Sequence, residues 1–182
     1  MKVCVYCASS ENLAPEYYEA GESFGRLLAK RGHTLVYGGY NKGIMHAVAR
    51  GAASEGGEII AVVPKIFDRP GFTYEKCTKV IVTETMHARK ATMENEADAF
   101  AVLPGGIGTF DELFELFVLK SLDLCCKPMG LLNVQGCYDL LLAFLDKNTA
   151  DGLMTEKNRA MLQLYDKGEA LLDALEKQSN LA

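Results

Sequence analysis

Apolar and polar positions fall into blocks of two periods along this chain. Short runs that are mostly apolar, 2–8, 33–37, 58–63, 79–83, 98–103 and 128–134, predict six strands. Blocks with apolar residues at helical spacing separate them, over 15–30, 44–53, 86–96, 109–124 and 138–147. The tail, 155–177, reads as helix in two pieces. In the first helix Tyr18, Phe24, Leu27 and Leu28 share a face, and Gly32 stops it. Pro64 halts the third strand, and 65–74, with Pro70-Gly71, reads as a loop. Continuous apolar strands alternating with helices imply a parallel sheet covered on both faces. The expected architecture is α/β: a single-domain, Rossmann-like, doubly wound parallel sheet over residues 1–182. Such sheets bind ligands beyond the carboxyl ends of their strands.

Composition narrows this picture. At 182 residues with 49% hydrophobic positions, the chain can bury a core without staples. A net charge of −5 argues against a general grip on nucleic-acid backbone, and no stretch approaches the length of a membrane span. Lys2 runs at once into Val3-Cys4-Val5-Tyr6-Cys7, a strand pattern instead of a signal-peptide core, so a cytoplasmic location is expected. Of the six cysteines, Cys4 and Cys7 have chelating spacing but no second pair, and strand alternation sends them to opposite faces. Reduced structural thiols are expected, and no metal.

Chemistry collects at the strand ends. The apolar run 99–103 enters Pro104-Gly105-Gly106-Ile107-Gly108-Thr109-Phe110-Asp111-Glu112 and then a helix. Three glycines in four positions let an anion approach backbone amides, and a helix start aims free N–H groups at the same place. Thr109-x-x-Glu112 also fits a capping box, in which Glu112 only bonds back to the helix start. Ser9-Ser10 follow the first strand and Gly38-Gly39 the second; neither a P-loop nor a G-x-G-x-x-G fingerprint is present. After the fourth strand, Met86, Arg89 or Lys90, and Met93 fall on one helical stripe. Arg89 and Lys90 there face either a ligand or open water, and His87 reads as a surface or core histidine. A small-molecule phosphate site unites these strand ends. The helix after Glu112 is apolar on most sides, with Leu113, Phe114, Leu116, Phe117, Val118, Leu119, Leu122 and Leu124. A helix of that kind is buried, so a homodimer through it is expected.

Pro104-Gly105-Gly106-x-Gly108-Thr109-x-x-Glu112 together with Met86-His87-x-Arg89-Lys90 resembles the paired signature of the Lonely Guy (LOG) proteins. These are cytokinin riboside 5′-monophosphate phosphoribohydrolases, often labelled lysine decarboxylase-like. Cys7-Ala8-Ser9-Ser10, Tyr37-Gly38-Gly39 with Gly43-Ile44-Met45, and the segments 97–100 and 127–133 extend the resemblance across about residues 2–150. It implies a Rossmann-like homodimer that hydrolyses the N-glycosidic bond of AMP or an N6-modified AMP without a cofactor. By the same resemblance Arg89 and Glu112 are the catalytic pair, Gly105, Gly106, Gly108 and Thr109 hold the phosphate, and Lys90 helps bind substrate. Ser9, Ser10, Gly38, Gly39, Met86, Ile107 and Asp111 join the substrate-binding set. The chain departs from the family where Tyr40 replaces a common third glycine and His46 a frequent glycine. It departs again where Ser121, Asp123 and Cys125 stand for a usual Gln, Gly and His, and together these departures imply a differently shaped base pocket. The alternative from another class is a non-catalytic nucleotide-binding carrier or sensor of this fold.

Overall fold

The computed structural model describes residues 1–180; Leu181 and Ala182, the end of the expected 1–182 domain, lie outside the described residues. Seven parallel strands form one sheet in the order β4-β3-β2-β1-β5-β6-β7. They are β1 (Lys2–Tyr6), β2 (Thr34–Tyr37), β3 (Ile59–Pro64), β4 (Lys79–Thr83), β5 (Ala99–Val102), β6 (Met129–Leu132) and β7 (Leu164–Tyr165). Helices α1 (Pro15–Lys30), α2 (Gly43–Ser54), α3 (Met86–Glu96), α4 (Ile107–Ser121) and α5 (Asp139–Ala150) lie between successive strands. Two further helices, α6 (Glu156–Arg159) and α7 (Gly168–Ser179), complete the tail.

The strand pattern explains the layering. In β1, Val3 and Val5 face the apolar sides of α1, α2 and α7, while Cys4 and Tyr6 face α3, α4 and α5. Both faces are dry, so β1, β2, β3 and β5 are apolar almost throughout. Cys4 and Cys7 accordingly lie in opposite core layers, and all six cysteines are free.

The six expected strands are all present, and β7 is an addition. It is two residues long, pairs only with the edge of β6, and interrupts a tail that reads as helix. Helix α4 begins at Ile107, two residues before the Thr109 start expected from its hydroxyl. From β1 the chain winds outward to β4, then crosses back to β5 beside β1 and winds the other way. The switch point is the β1/β5 junction, where a doubly wound sheet leaves a crevice at its carboxyl edge.

Candidate active site

That crevice is a cleft of about 420 Å³, within the size range of small-molecule sites. Its walls are the turns after β1, β2, β3 and β5 and the first turns of α3 and α4. The β1 and β5 turns are tied directly: Ala8 N–H donates to the Pro104 carbonyl at 3.0 Å. From beneath, the buried Tyr138 hydroxyl donates to the Leu103 carbonyl at 2.7 Å, fixing the end of β5.

The glycine turn opens α4 with Gly106 as N-cap, and no side chain closes it. Phe110 N–H, donating to the Gly106 carbonyl at 2.9 Å, is the first amide used by the helix. The amides of Ile107, Gly108 and Thr109 therefore lack helical partners. Side chains added at Gly106 or Gly108 would meet nothing within 4 Å, so both positions border open space at the cleft. Gly105 differs, because a Cβ there would collide with the buried Thr109 side chain folded over it.

Glu112 does not complete a capping box. Its carboxylate lies one turn further along α4 and accepts from Arg89 Nη1 at 2.8 Å. Arg89 comes from α3, whose start is set by Thr85 accepting from Ala88 N–H at 3.0 Å. The Arg89 Nε also donates to the Val62 carbonyl at 3.2 Å, and its guanidinium occupies the space a Gly38 side chain would need. Arg89 and Glu112 are 6% and 5% exposed, a desolvated ion pair on the floor of the cleft. Burial pushes the Glu112 carboxyl above the usual carboxylate range, and the Arg89 charge offsets part of that shift.

Lys90, one residue on, points to the other side of α4. Its Nζ reaches both Asp111 carboxylate oxygens at 3.0–3.1 Å and lies 2.5 Å from Glu115 Oε2. The structure therefore sets Lys90 behind the cleft wall, with Asp111 between it and the cleft. Of the residues expected at the site, Ser9, Ser10, Gly38, Met86, Arg89, Gly106, Ile107, Gly108, Thr109, Asp111 and Glu112 line the cleft. Gly39, Gly105 and Lys90 support it without lining it. His87 is exposed outside it.

The cleft also has lining that the sequence reading did not assign: Tyr40, Met45, Phe67, Arg69 and Phe72. Most of these sit in irregular segments, where no periodicity marks a wall. The one available signal was Tyr40, an aromatic ring in a glycine turn. Of Ser121, Asp123 and Cys125, expected to reshape the base pocket, Ser121 ends α4, about 14 Å along the helix from the cleft-lining Glu112, and Asp123 and Cys125 lie beyond its end. Among the described residues no group of three or more His, Cys, Asp or Glu could hold a metal ion, and no helix is long and apolar enough to cross a membrane.

Residues 45–175 match a family model described as "Possible lysine decarboxylase". The cytokinin riboside 5′-monophosphate phosphoribohydrolase LOG2 of Arabidopsis thaliana is 38% identical over 175 residues, covering 96% of this chain and 82% of the relative. The enzyme of the same description named LOG7, also from Arabidopsis thaliana, is 38% identical over 175 residues, covering 96% and 81%. Among solved structures, the molybdenum cofactor binding protein of Rippkaea orientalis superposes with a TM-score of 0.74 at 21% identity, over 97% of this chain and 95% of that one. That likeness carries the fold alone. Identity to curated relatives over nearly the whole length, joined to the α3 and α4 motifs that build this cleft, shows that the chain belongs to the LOG family of cytokinin riboside 5′-monophosphate phosphoribohydrolases.

Proposed function

We propose that the chain hydrolyses the N-glycosidic bond of a purine nucleoside 5′-monophosphate, AMP or an N6-modified AMP, to free base and ribose 5-phosphate. The observation that carries this reading is the buried Arg89–Glu112 pair beneath a glycine turn with unpartnered amides. The 5′-phosphate sits on the amides of residues 106–109 at the positive end of α4, with Ser9 and Ser10 at the adjoining rim. Binding the phosphate there, away from the reacting carbon, supplies energy for orientation at the sugar.

As the C1′–N bond breaks, its electron pair leaves with the base nitrogen and positive charge builds on the ribose ring. The Glu112 carboxylate stabilises that charge, as carboxylates do in glycoside hydrolysis generally. Water then bonds to C1′ and loses one proton, and the departing base takes up one proton from solvent, so that one water in total is consumed. Glu112 accepts the proton from water. Arg89 holds Glu112 ionised and in place, a role that its second bond to Val62 makes rigid. Lys90 acts by fixing Asp111 at the lip of the phosphate turn.

Water is the only co-reactant this reading needs. A lysine-centred decarboxylase is a poorer fit to the same residues. Glu115 and Asp111 raise the pKa of the buried Lys90, whereas a Schiff-base lysine needs it lowered. The test is base release, followed by chromatography, from AMP and from isopentenyladenosine monophosphate. Release from either supports the hydrolase; binding without release from both favours a carrier or sensor.

Residues 1–182 work as one domain in this reading, and two copies pair through α4 and α5. Helix α4 buries Leu113, Leu116 and Phe117 but leaves Phe114 and Val118 exposed, as is Leu122 just past its end, and α5, on the same face of the sheet, leaves Leu140 and Phe144 exposed. So much apolar surface on one side marks an interface. Light scattering at micromolar concentration should report a dimer; a monomer sinks this part. Six free cysteines fit a reducing compartment such as the cytoplasm.

A further inference from the structure

The strand order sets out the cleft as a ruler. The phosphate turn follows β5, Ser9 and Ser10 follow β1, Tyr40 follows β2, and Phe67 and Phe72 follow β3. Neighbouring strands lie about 4.8 Å apart, so the β3 end stands roughly 14 Å from the β5 end. That span is comparable with an extended nucleoside monophosphate. Arg89 and Glu112 meet between the two ends, where the scissile bond of such a ligand would fall.

The β2–β3 end is aromatic. Tyr40 stacks on Phe72 with ring centres 4.5 Å apart and planes inclined by 22°. Phe72 stacks in turn on Phe67, at 5.2 Å and 6°. All three rings line the cleft, and Phe67 remains 38% exposed, so the column is open at its outer end. Backbone bonds hold the column in register. Tyr40 bridges Thr73, and Asn41 N–H donates to the Phe72 carbonyl at 2.8 Å. A preformed wall of this kind loses little order when a flat ligand arrives.

We propose that Tyr40, Phe72 and Phe67 are the base subsite, taking the planar purine against the ring column. This rests on the phosphoribohydrolase reading. It gives a job to Tyr40, an aromatic ring set in a glycine turn at the end of β2. Base–aromatic contact needs no particular hydrogen-bond pattern, because every base has a π-face, and the larger purine covers more of the wall.

The experiment measures KM and kcat for AMP in the full chain and in Phe67→Leu, Phe72→Leu and Phe72→Tyr, with melting temperatures as a fold control. The expected result is a KM raised about tenfold or more in the two leucine variants. Their kcat should be little changed, and Phe72→Tyr should restore KM. Phe67 is the exposed ring, so its variant decides the matter if Phe72→Leu fails to fold. An unchanged KM in Phe67→Leu, or an equal loss of kcat, overturns the base subsite while leaving the hydrolase standing. Failure of the unaltered chain to release adenine overturns the enzyme reading and the subsite with it.

Discussion

Two glycine turns that open helices look alike along the chain and do different work in the fold. After β2, Gly38-Gly39 and then Gly43 lead into α2; after β5, Gly105, Gly106 and Gly108 lead into α4. At α2 the first free amides are already spent, since Ile44 and Met45 N–H both donate to the Ala8 carbonyl at 2.9 and 3.2 Å. Gly43 sits at φ +60°, and a Cβ there would lie 2.6–2.8 Å from the backbone of Ala8, Ser9 and Ser10. The β2 turn is thus a clasp that holds the Ser9-Ser10 loop in place. The β5 turn leaves its amides free, and Gly106 and Gly108 stand beside open space. Glycine richness alone does not mark an anion site; what matters is whether another carbonyl has already taken the amides.

The comparison can be broken at single residues. Gly43→Ala should have the largest effect on stability, because it adds left-handed strain to a clash with backbone that cannot move aside. A loss of more than about 2 kcal/mol is expected in denaturant titration. Gly106→Ala should leave the melting temperature nearly unchanged but raise KM for AMP by about tenfold or more, because its methyl group projects into the open space the phosphate needs and holds it away from the amides. Should Gly106→Ala instead lower the melting temperature sharply without touching KM, the two turns would have to exchange roles. Gly108→Ala sharpens the contrast, since it replaces glycine within a helix where there is room. Stability should rise by up to about 1 kcal/mol while AMP affinity falls.

The smallest effect expected concerns pH. The folded-state pKa of Glu112 lies above that of a solvated glutamate because burial dominates. Activity that needs the ionised carboxylate should therefore rise with pH through a midpoint above the ordinary carboxylate value. Stability runs the other way. A raised carboxyl favours the folded state below its unfolded pKa, and that contribution is lost as pH rises through the folded value. Glu112→Gln should remove this opposed dependence from the denaturation profile, and a profile unaltered by that change would contradict the assignment.

Much of this was readable in the sequence because the sheet is buried on both faces. Strands β1, β2, β3 and β5 announce themselves as apolar runs, and their ends locate the site. Strand β7 was not readable, since two residues carry no period. The helical spacing of Met86, Arg89 and Met93 was visible, but not that Arg89 and Lys90 would part to opposite sides of α4. Neighbours on a helix differ by about 100°, and only packing decides which one faces the cleft. Thr109 misled in a physical way. A threonine three residues before a glutamate mimics a cap, yet Gly106 takes the N-cap and frees Glu112 for Arg89. The aromatic column was invisible because Tyr40, after β2, meets Phe67 and Phe72 of the 65–74 loop only in the fold, and that loop has no periodicity to show which way its rings turn.

The most direct test of the account compares AMP binding with adenine release in the unaltered chain and in Glu112→Gln, using calorimetry and chromatography on the same preparations. The amide introduced by Glu112→Gln keeps the shape and can still accept from Arg89, but it carries no charge for the ribose cation and takes no proton from water. Adenine release lowered by orders of magnitude, with AMP affinity nearly intact, is the expected result. Equal loss of binding and release would contradict it, and would make Glu112 a structural partner of Arg89 with the chemistry elsewhere.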